Sequence, residues 1–477
     1  MFRSFAIAKL NLLFVAMCLL ALVNSASAQT CEAVPGEVLI DVVDPNDVPT
    51  IASNYNLMPT PIGQVAVPAT YRMRFDNTNL QTPCQVVQAM QGDPRITRAE
   101  TNRKVKVVEK QGLPWTLGRS WAIGRSWAIG GSAKGYATQW FPGIIKLNQA
   151  HAITKGFMNN PPPGQQPRPI IVAVLDTGID LSHPAFAGRL VPGYDFVDND
   201  ADPSEVGTPR VDPTYGHGTH VAGIVALTAP DAKIMPIRLL DQNGESDLWK
   251  LKDAIIWAAT HGADVINMSF GYPKDVAPQS NRFLDKLMDS ADGVAGGPVI
   301  PELNDEILVF VAGAGNGGEI GNGADRIYPA AERHDGSNHD IDNILSVGSS
   351  SRLDLLSRFS TMANVTNRST ERWVRSVAPG EDIVSAIPGG RYGVWSGTSM
   401  SSPITAGIAA LVLSVRPING TAHTASNVVD EIEETGWEWN CTLSSRGGVK
   451  METARVDAFC AVTNNQACYQ PRTICIE

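Results

Sequence analysis

The sequence predicts an α/β protein of three layers, a mainly parallel central sheet with helices on both faces, preceded by a small α+β unit. Three observations predict it. Beyond residue 139, strand and helix patterns alternate: Ile170 to Leu175 is apolar throughout, further strands are expected at Ile234 to Leu240, Val265 to Phe270 and Ile307 to Ala312, and a helical pattern, Leu248 to Thr260, lies among them. Runs that are apolar throughout belong to parallel strands covered on both faces. Next, Ile404, Ile408, Leu411, Val412 and Val415 recur at helical spacing, with Ala406, Gly407, Ala409 and Ala410 between them. Such a helix has little polar surface and belongs inside the molecule. Third, the N-terminal part reads differently: Tyr71 to Phe75 and Lys104 to Val108 alternate polar with apolar residues, as half-buried strands do.

In chain order, residues 1–28 read as a secretion signal. Arg3 and Lys9 give a positive start, Leu10 to Val23 is apolar apart from Asn11, and Ala26-Ser27-Ala28 is a small-residue cleavage site. The apolar run is too short to span a bilayer, and no later run approaches that length. The expectation is an exported protein, extracellular or periplasmic, without stable membrane insertion. Of seven cysteines, Cys18 leaves with the signal, and an even number in an exported chain points to disulfides. Cys31 and Cys84 lie in one unit and are expected to pair. For the C-terminal four, three pairings exist; sequential closure, Cys441–Cys460 and Cys468–Cys475, is favoured because a local loop closes easily in a tail. No Cys-x-x-Cys occurs, which disfavours zinc and thioredoxin-like chemistry.

Residues 29–109 form the α+β unit, with strands expected at Val38 to Val43, Tyr71 to Phe75 and Lys104 to Val108 and short helices at Asp47 to Tyr55 and Gln85 to Met90. Residues 110–138 read as a linker: Arg119-Ser120-Trp121-Ala122-Ile123-Gly124 is repeated at once as Arg125-Ser126-Trp127-Ala128-Ile129-Gly130, too short for a solenoid, with glycines on both flanks. Residues 139–463 carry the α/β pattern and 464–477 a cysteine-containing tail. The chain of 477 residues has a net charge of −10 and no basic cluster, which excludes nucleic acid and anionic membranes as natural partners.

Ligands of parallel sheets bind beyond the carboxyl ends of the strands. Three residues fall there. Asp176 ends the first strand in Val174-Leu175-Asp176-Thr177-Gly178. His217, in Gly216-His217-Gly218-Thr219-His220, opens the helical run Val221 to Leu227. Ser399, in Gly397-Thr398-Ser399-Met400-Ser401-Ser402-Pro403, opens the apolar helix. Gly397 is expected to turn the chain sharply, with Pro403 in the first helical turn. A helix N-terminus favours a developing negative charge. A serine hydroxyl needs a base, histidine can take and return its proton near neutral pH, and a carboxylate fixes the imidazole tautomer. Singly, each has a plain explanation as a capping or turn residue; together they point to acyl transfer.

Asp-Thr-Gly, His-Gly-Thr-His-Val-Ala-Gly and Gly-Thr-Ser-Met-Ser-Ser-Pro, in that order, resemble the three signatures of subtilisin-like serine proteases, over about residues 139–463. Acid, histidine, serine is the chain order of subtilisin itself; α/β-hydrolases run serine, acid, histidine and use Gly-x-Ser-x-Gly, where this chain has Ser401. The resemblance implies a subtilisin-like fold and a serine endopeptidase acting on polypeptides in extended conformation, with no cofactor required. It makes Asn316, in Val311-Ala312-Gly313-Ala314-Gly315-Asn316, the oxyanion donor. It makes Ser269, Phe270 and Gly271 the edge that pairs with substrate, and Gly313, Ala314 and Gly315 the facing wall of a pocket whose floor is Ile327, before Tyr328-Pro329. It also implies that 29–109 is an inhibitor-type propeptide, the enzyme's own partner, cut off by the enzyme itself.

Two departures from the family stand out. Ala226-Leu227-Thr228-Ala229-Pro230-Asp231-Ala232-Lys233 leaves no room for the long calcium loop found after the histidine in many members, and 276–305 is longer than usual and reads as an inserted surface loop. A second calcium loop of some members is similar to Asp195-Phe196-Val197-Asp198-Asn199-Asp200; Asp195, Asp198 and Asp200 then become candidate calcium ligands, and a solvated acidic loop reads as well. Two rival functions share these motifs: a peptide ligase or macrocyclase on the same fold, and a binding protein that has lost activity.

Overall fold

Alternation in the N-terminal part builds an antiparallel sheet. The computed structural model describes residues 31–65, 69–75, 80–107, 116–117, 127–129, 131–161, 164–273, 284, 287–288, 308–317, 320–321, 326–334, 341–363, 373–415, 424–443 and 449–465. The expected signal, most of 276–305 and the tail from residue 466 lie outside them. The N-terminal unit runs β1 (Ala33–Val42), α1 (Val48–Asn54), β2 (Gly63–Val65), β3 (Thr70–Arg74), α2 (Pro83–Met90) and β4 (Ile96–Val107). β1 lies between β3 and β4. Val38, Ile40, Ile51, Met73, Val86, Val87 and Met90 make its own core. Thr82 and Gln85 cap α2 reciprocally, which fixes where that helix starts. A Cys31–Cys84 disulfide closes the unit, with Cα atoms 6.0 Å apart. The expected strands and helices are all present; β4 is longer than the alternating stretch that revealed it.

The second Trp-Ala-Ile copy of the tandem repeat is paired: β5 (Trp127–Ile129) runs antiparallel to Arg391–Trp395. That portion of the stretch read as a linker is part of the fold, in keeping with the strand preference of tryptophan and isoleucine.

The larger part alternates as the apolar runs require: β6 (Ile171–Asp176), β7 (Tyr194–Asp195), α3 (His217–Thr228), β8 (Lys233–Arg238), β9 (Glu245–Asp247), α4 (Leu248–Thr260), β10 (Val265–Met268), β11 (Phe270–Pro273), β12 (Val309–Gly313), β13 (Ile327–Tyr328), β14 (Ile344–Ser350), β15 (Ser376–Pro379), α5 (Thr398–Ser414), α6 (Ala425–Glu434), β16 (Trp437–Leu443) and β17 (Val449–Arg455). The described residues form a sheet of order β7-β8-β6-β10-β12-β14-β15-β17-β16. Its strands are parallel except for the edge strand β16. One face packs on α3, α5 and α6, and the other on α4. The run Val265 to Phe270 is broken at Ser269, after which β11 leaves the sheet to pair with β13 and β4.

Every residue of α5 is buried. It passes α3 so closely that a Cβ on Gly407 would lie 2.5 Å from the Thr228 Cβ. Gly407→Ala should therefore push apart the two helices that carry Ser399 and His217. Overpacking of this kind costs about 1–3 kcal/mol or more, so thermal unfolding of the variant should begin several degrees lower, with a matching fall in activity.

Candidate active site

The sheet brings the three candidates to its carboxyl edge. Asp176 is the last residue of β6, His217 the first of α3 and Ser399 the second of α5. Gly216, which precedes α3, has φ 93° and ψ 0°, a left-handed conformation that glycine adopts without strain. The turn it makes seats His217 against Asp176. His217 Nδ1 donates to Asp176 Oδ1 at 2.6 Å, and the Thr177 N–H donates to the same oxygen at 2.7 Å. With Nδ1 so engaged, Nε2 is the acceptor nitrogen of the neutral ring. One turn further, His220 stacks on Trp395 at 4.3 Å, and burial, then the His217 charge, hold its pKa well below the ordinary range.

Ser399 is anchored by its main chain. Pro403 falls in the second turn of α5, not the first, and Gly397 is extended (φ 160°, ψ 165°), so the turn before α5 needs no left-handed residue. Pro403 has no N–H, so the Ser399 carbonyl, four residues back, lacks its helical donor. The Ser269 hydroxyl supplies one, donating to that carbonyl at 3.0 Å, while the Ser399 hydroxyl donates to the Ser269 carbonyl at 2.9 Å. Nucleophile candidate and edge segment are thereby locked together.

Asn316 follows β12, and Thr398 ties it down. The Asn316 Oδ1 accepts the Thr398 N–H at 2.9 Å, and Thr398 Oγ1 accepts the Gly315 N–H at 3.1 Å. Holding the carboxamide by its oxygen turns its donor nitrogen away from Thr398. Of the pocket candidates, Ile327 lies against Gly315, where an added Cβ would come within 3.0 Å of Ile327 Cγ1, and it pairs with Pro273 in the β11–β13 ladder. Gly313 backs on the Thr398 carbonyl. Phe270 and Ala314 are fully buried in the core cluster, so they present only main chain to the cleft.

The cleft edge already holds a strand. β4 runs between β11 and β9, antiparallel to both: Phe270 lies opposite Val107 and Gly271 opposite Lys106, while Glu245 faces Lys106 and Ser246 faces Val105. The Val107 N–H donates to the Gly244 carbonyl at 3.0 Å. Asn102 Oδ1 accepts the Trp249 N–H at 3.2 Å, beside the Asp247 cap at the start of α4. Asp176, His217 and Ser399 are all at 0% exposure in this arrangement.

Comparison with known proteins agrees with this geometry. The family model described as Subtilase family matches residues 168–436. A thermophilic serine proteinase of Bacillus sp. (strain AK1) is 32% identical over 388 residues, covering 79% of this chain and 78% of its own. This chain belongs to the subtilase family. Thermitase of Thermoactinomyces vulgaris is 33% identical over 279 residues, 56% of this chain and 84% of that protein. The crystal structure of fervidolysin from Fervidobacterium pennivorans, a keratinolytic enzyme related to subtilisin, superimposes with a TM-score of 0.60 at 22% identity; it covers 92% of this chain, which spans 62% of fervidolysin, and the likeness speaks to the fold. This subtilase is a serine-type endopeptidase, a hydrolase of peptide bonds. No described helix is long and apolar enough to cross a membrane.

The calcium ligands expected at Asp195, Asp198 and Asp200 are otherwise engaged. Arg238 donates to Asp195 Oδ2 at 2.6 Å and to Asp198 Oδ2 at 2.5 Å, and Asp195 Oδ1 accepts the N–H groups of Val197 and Asp198. Asp200 Oδ1 accepts the Asp202 N–H. Among the described residues, no group of three or more His, Cys, Asp or Glu side chains is arranged to hold a metal. The carboxylates do not fit calcium, because a guanidinium occupies the place a divalent ion needs and would repel it. No local pattern around the acidic loop marks Arg238, which comes from β8. Nor does one mark Glu205, one more acid in an acidic stretch, which bonds Thr177 and Thr219 beside Asp176 and His217. Cys460 is disulfide-bonded; the Cys441 side chain, Cys468 and Cys475 lie outside the described residues.

Asp195 and Arg238 have side chains only 2% exposed. Arg238→Met would leave the Asp195 carboxylate buried and unpaired, a loss of about 3–5 kcal/mol. Denaturant unfolding should show that loss, and added calcium should not restore it.

Proposed function

We propose that this subtilase is made as an exported precursor and cuts itself free of residues 29–109, with Asp176, His217 and Ser399 as its catalytic triad. The observation that carries the reading is the pairing of β4 with β11 and β9 beside Ser399. An extended strand between two edges, held by main-chain bonds, is how a protease holds a peptide substrate, and it tolerates many sequences. Here the strand comes from the N-terminal unit, which acts as the enzyme's own inhibitor.

In the reaction, the Ser399 hydroxyl turns from the Ser269 carbonyl to His217 Nε2. His217 takes the proton as Ser399 Oγ attacks the scissile carbonyl, and Asp176, on Nδ1, steadies the imidazolium. The tetrahedral oxyanion accepts the Ser399 N–H and the Asn316 amide, donors already fixed before charge develops. His217 then protonates the leaving amine, and water repeats the sequence on the acyl-enzyme. The short apolar start of the sequence and the Cys31–Cys84 disulfide support an oxidising destination outside the cytoplasm.

Val107, where the described part of β4 ends, lies opposite Phe270, the neighbour of Ser269, whose carbonyl holds the Ser399 hydroxyl. The cut that frees residues 29–109 therefore falls shortly after β4 in the sequence. N-terminal sequencing of the purified mature enzyme should read from a residue beyond 109, and Ser399→Ala expressed in a protease-free host should keep the whole precursor. A Ser399→Ala protein trimmed at the same place would overturn self-processing.

The pocket for the residue before the scissile bond has Ser269 to Gly271 and Gly313 to Gly315 as walls and Ile327 as floor. A branched side chain there leaves little depth, so small apolar residues should be favoured over phenylalanine. Filling a fixed cavity costs about 1–3 kcal/mol, roughly 10- to 100-fold in kcat/KM. A peptide series varied at that position should show the preference, and Ile327→Gly should shift it towards phenylalanine.

A further inference from the structure

Behind the Asp176–His217 pair sits a carboxyl group that this mechanism does not use. Glu205 lies in the loop between β7 and α3. Its N–H donates to the Ile179 carbonyl at 3.1 Å, and the Ile179 N–H donates to the Pro203 carbonyl at 3.0 Å, so 203–205 run alongside the turn that follows Asp176. The approach is close: a Cβ on Gly178, whose φ is +107°, would lie 2.7 Å from the Ser204 carbonyl oxygen and 2.9 Å from the Glu205 Cα.

The side chain reaches both elements of the pair. Oε1 accepts the Thr177 hydroxyl at 2.6 Å. Oε2 accepts the Thr219 hydroxyl at 2.8 Å and the Thr219 N–H at 3.1 Å. Each hydroxyl is itself an acceptor, of the Gly218 N–H on Thr177 and of the Asp180 N–H on Thr219, both at 2.9 Å. Two chains of donors therefore end on one carboxylate. One runs from the Gly218 N–H through Thr177, the residue after Asp176, and the other from the Asp180 N–H through Thr219, two beyond His217; such chains polarise and strengthen one another.

We propose that Glu205 is a positioning residue for the Asp176–His217 pair, clamping the Asp176 turn to the first turn of α3 and setting a second negative charge beside that of Asp176. The inference rests on reading Asp176, His217 and Ser399 as the triad. The Glu205 carboxyl is raised to about 7: burial raises it most, the Thr177, Thr219 and Gly216 donors lower it, and the Asp176 charge raises it. The other titratable neighbours are Tyr215, whose phenol is pushed up by burial and then by Glu205 and Asp180 and lowered by Arg391, and His220, held neutral by its burial. A protonated His217 favours the charged form of a neighbouring carboxyl in turn, so it is as a carboxylate that Glu205 acts on the imidazolium.

Glu205→Gln tests the charge and Glu205→Ala the clamp. Glutamine can keep its carbonyl on Thr219 and offer its amide to the Thr177 oxygen, since a hydroxyl accepts as well as donates. An anion beside an imidazolium raises its pKa. In Glu205→Gln the acid limb of kcat/KM should therefore move down by about half a unit to one unit. At a pH below the limb, the variant should keep roughly three- to tenfold more of its own optimum rate than the parent does of its optimum. In Glu205→Ala, kcat should fall about 10- to 100-fold, as small misplacements do, with KM changed less than about twofold. Titration of the His217 ring by NMR, on the same full-chain preparations, reads the Gln shift without turnover. A Glu205→Gln acid limb and His217 titration that coincide with the parent's overturn the assignment, whether or not the Ala variant folds. A parent that fails to hydrolyse peptides overturns the triad reading instead, and the NMR comparison still decides Glu205.

Discussion

A proline that withholds one N–H organises this site. Pro403 leaves the Ser399 carbonyl without a helical partner, and the Ser269 hydroxyl fills the gap while the Ser399 hydroxyl bonds back to the Ser269 carbonyl. Around that pair, Asn267 donates to the Ser269 hydroxyl and accepts from Ser402. The break between β10 and β11 therefore falls where α5 begins, and the strand that leaves the sheet there is the one that pairs with β4. A fully buried helix is what makes the arrangement rigid, because α5 cannot shift without disturbing the sheet on one side and α3 on the other.

On the proposed reading of residues 29–109 as the enzyme's own inhibitor, the same edge would let a protease be made without digesting its surroundings. β4 belongs to two sheets at once, pairing with β1 in the N-terminal unit and with β11 and β9 in the larger part. The N-terminal unit has its own core and its own disulfide, so it can present β4 as a formed strand. Because it is joined to the enzyme, its effective concentration at the cleft is high without strong contacts. The exposed ion pairs of Lys104 and Lys106 with Glu245 add little to that.

Two acidic clusters that look alike in the sequence do different work. Asp195 and Asp198 close on Arg238, which comes from the neighbouring strand β8, and so fasten a loop to the sheet. Glu205 receives hydroxyls and an N–H from the two elements that present Asp176 and His217. The difference lies in which cation or donor the fold brings near.

Asp176, His217 and Ser399 could be read from the chain because each lies in a short local motif, and because apolar runs and helical spacing reveal strands and helices whose ends must form the ligand edge. The α4 boundaries, Leu248 and Thr260, were legible in the same way, as was the Cys31–Cys84 bond, from the two cysteines' place in one unit. The contacts made across the fold were not. That Arg238 fills the place assigned to calcium, that Pro403 sits in the second turn and frees a carbonyl for Ser269, that Glu205 joins the turn after Asp176 to the start of α3, and that β4 lies along β11 all join residues far apart in the chain. Periodicity and motif report what a segment does to its own backbone and which face it buries; only the packing of one segment on another decides which partner a buried polar group finds.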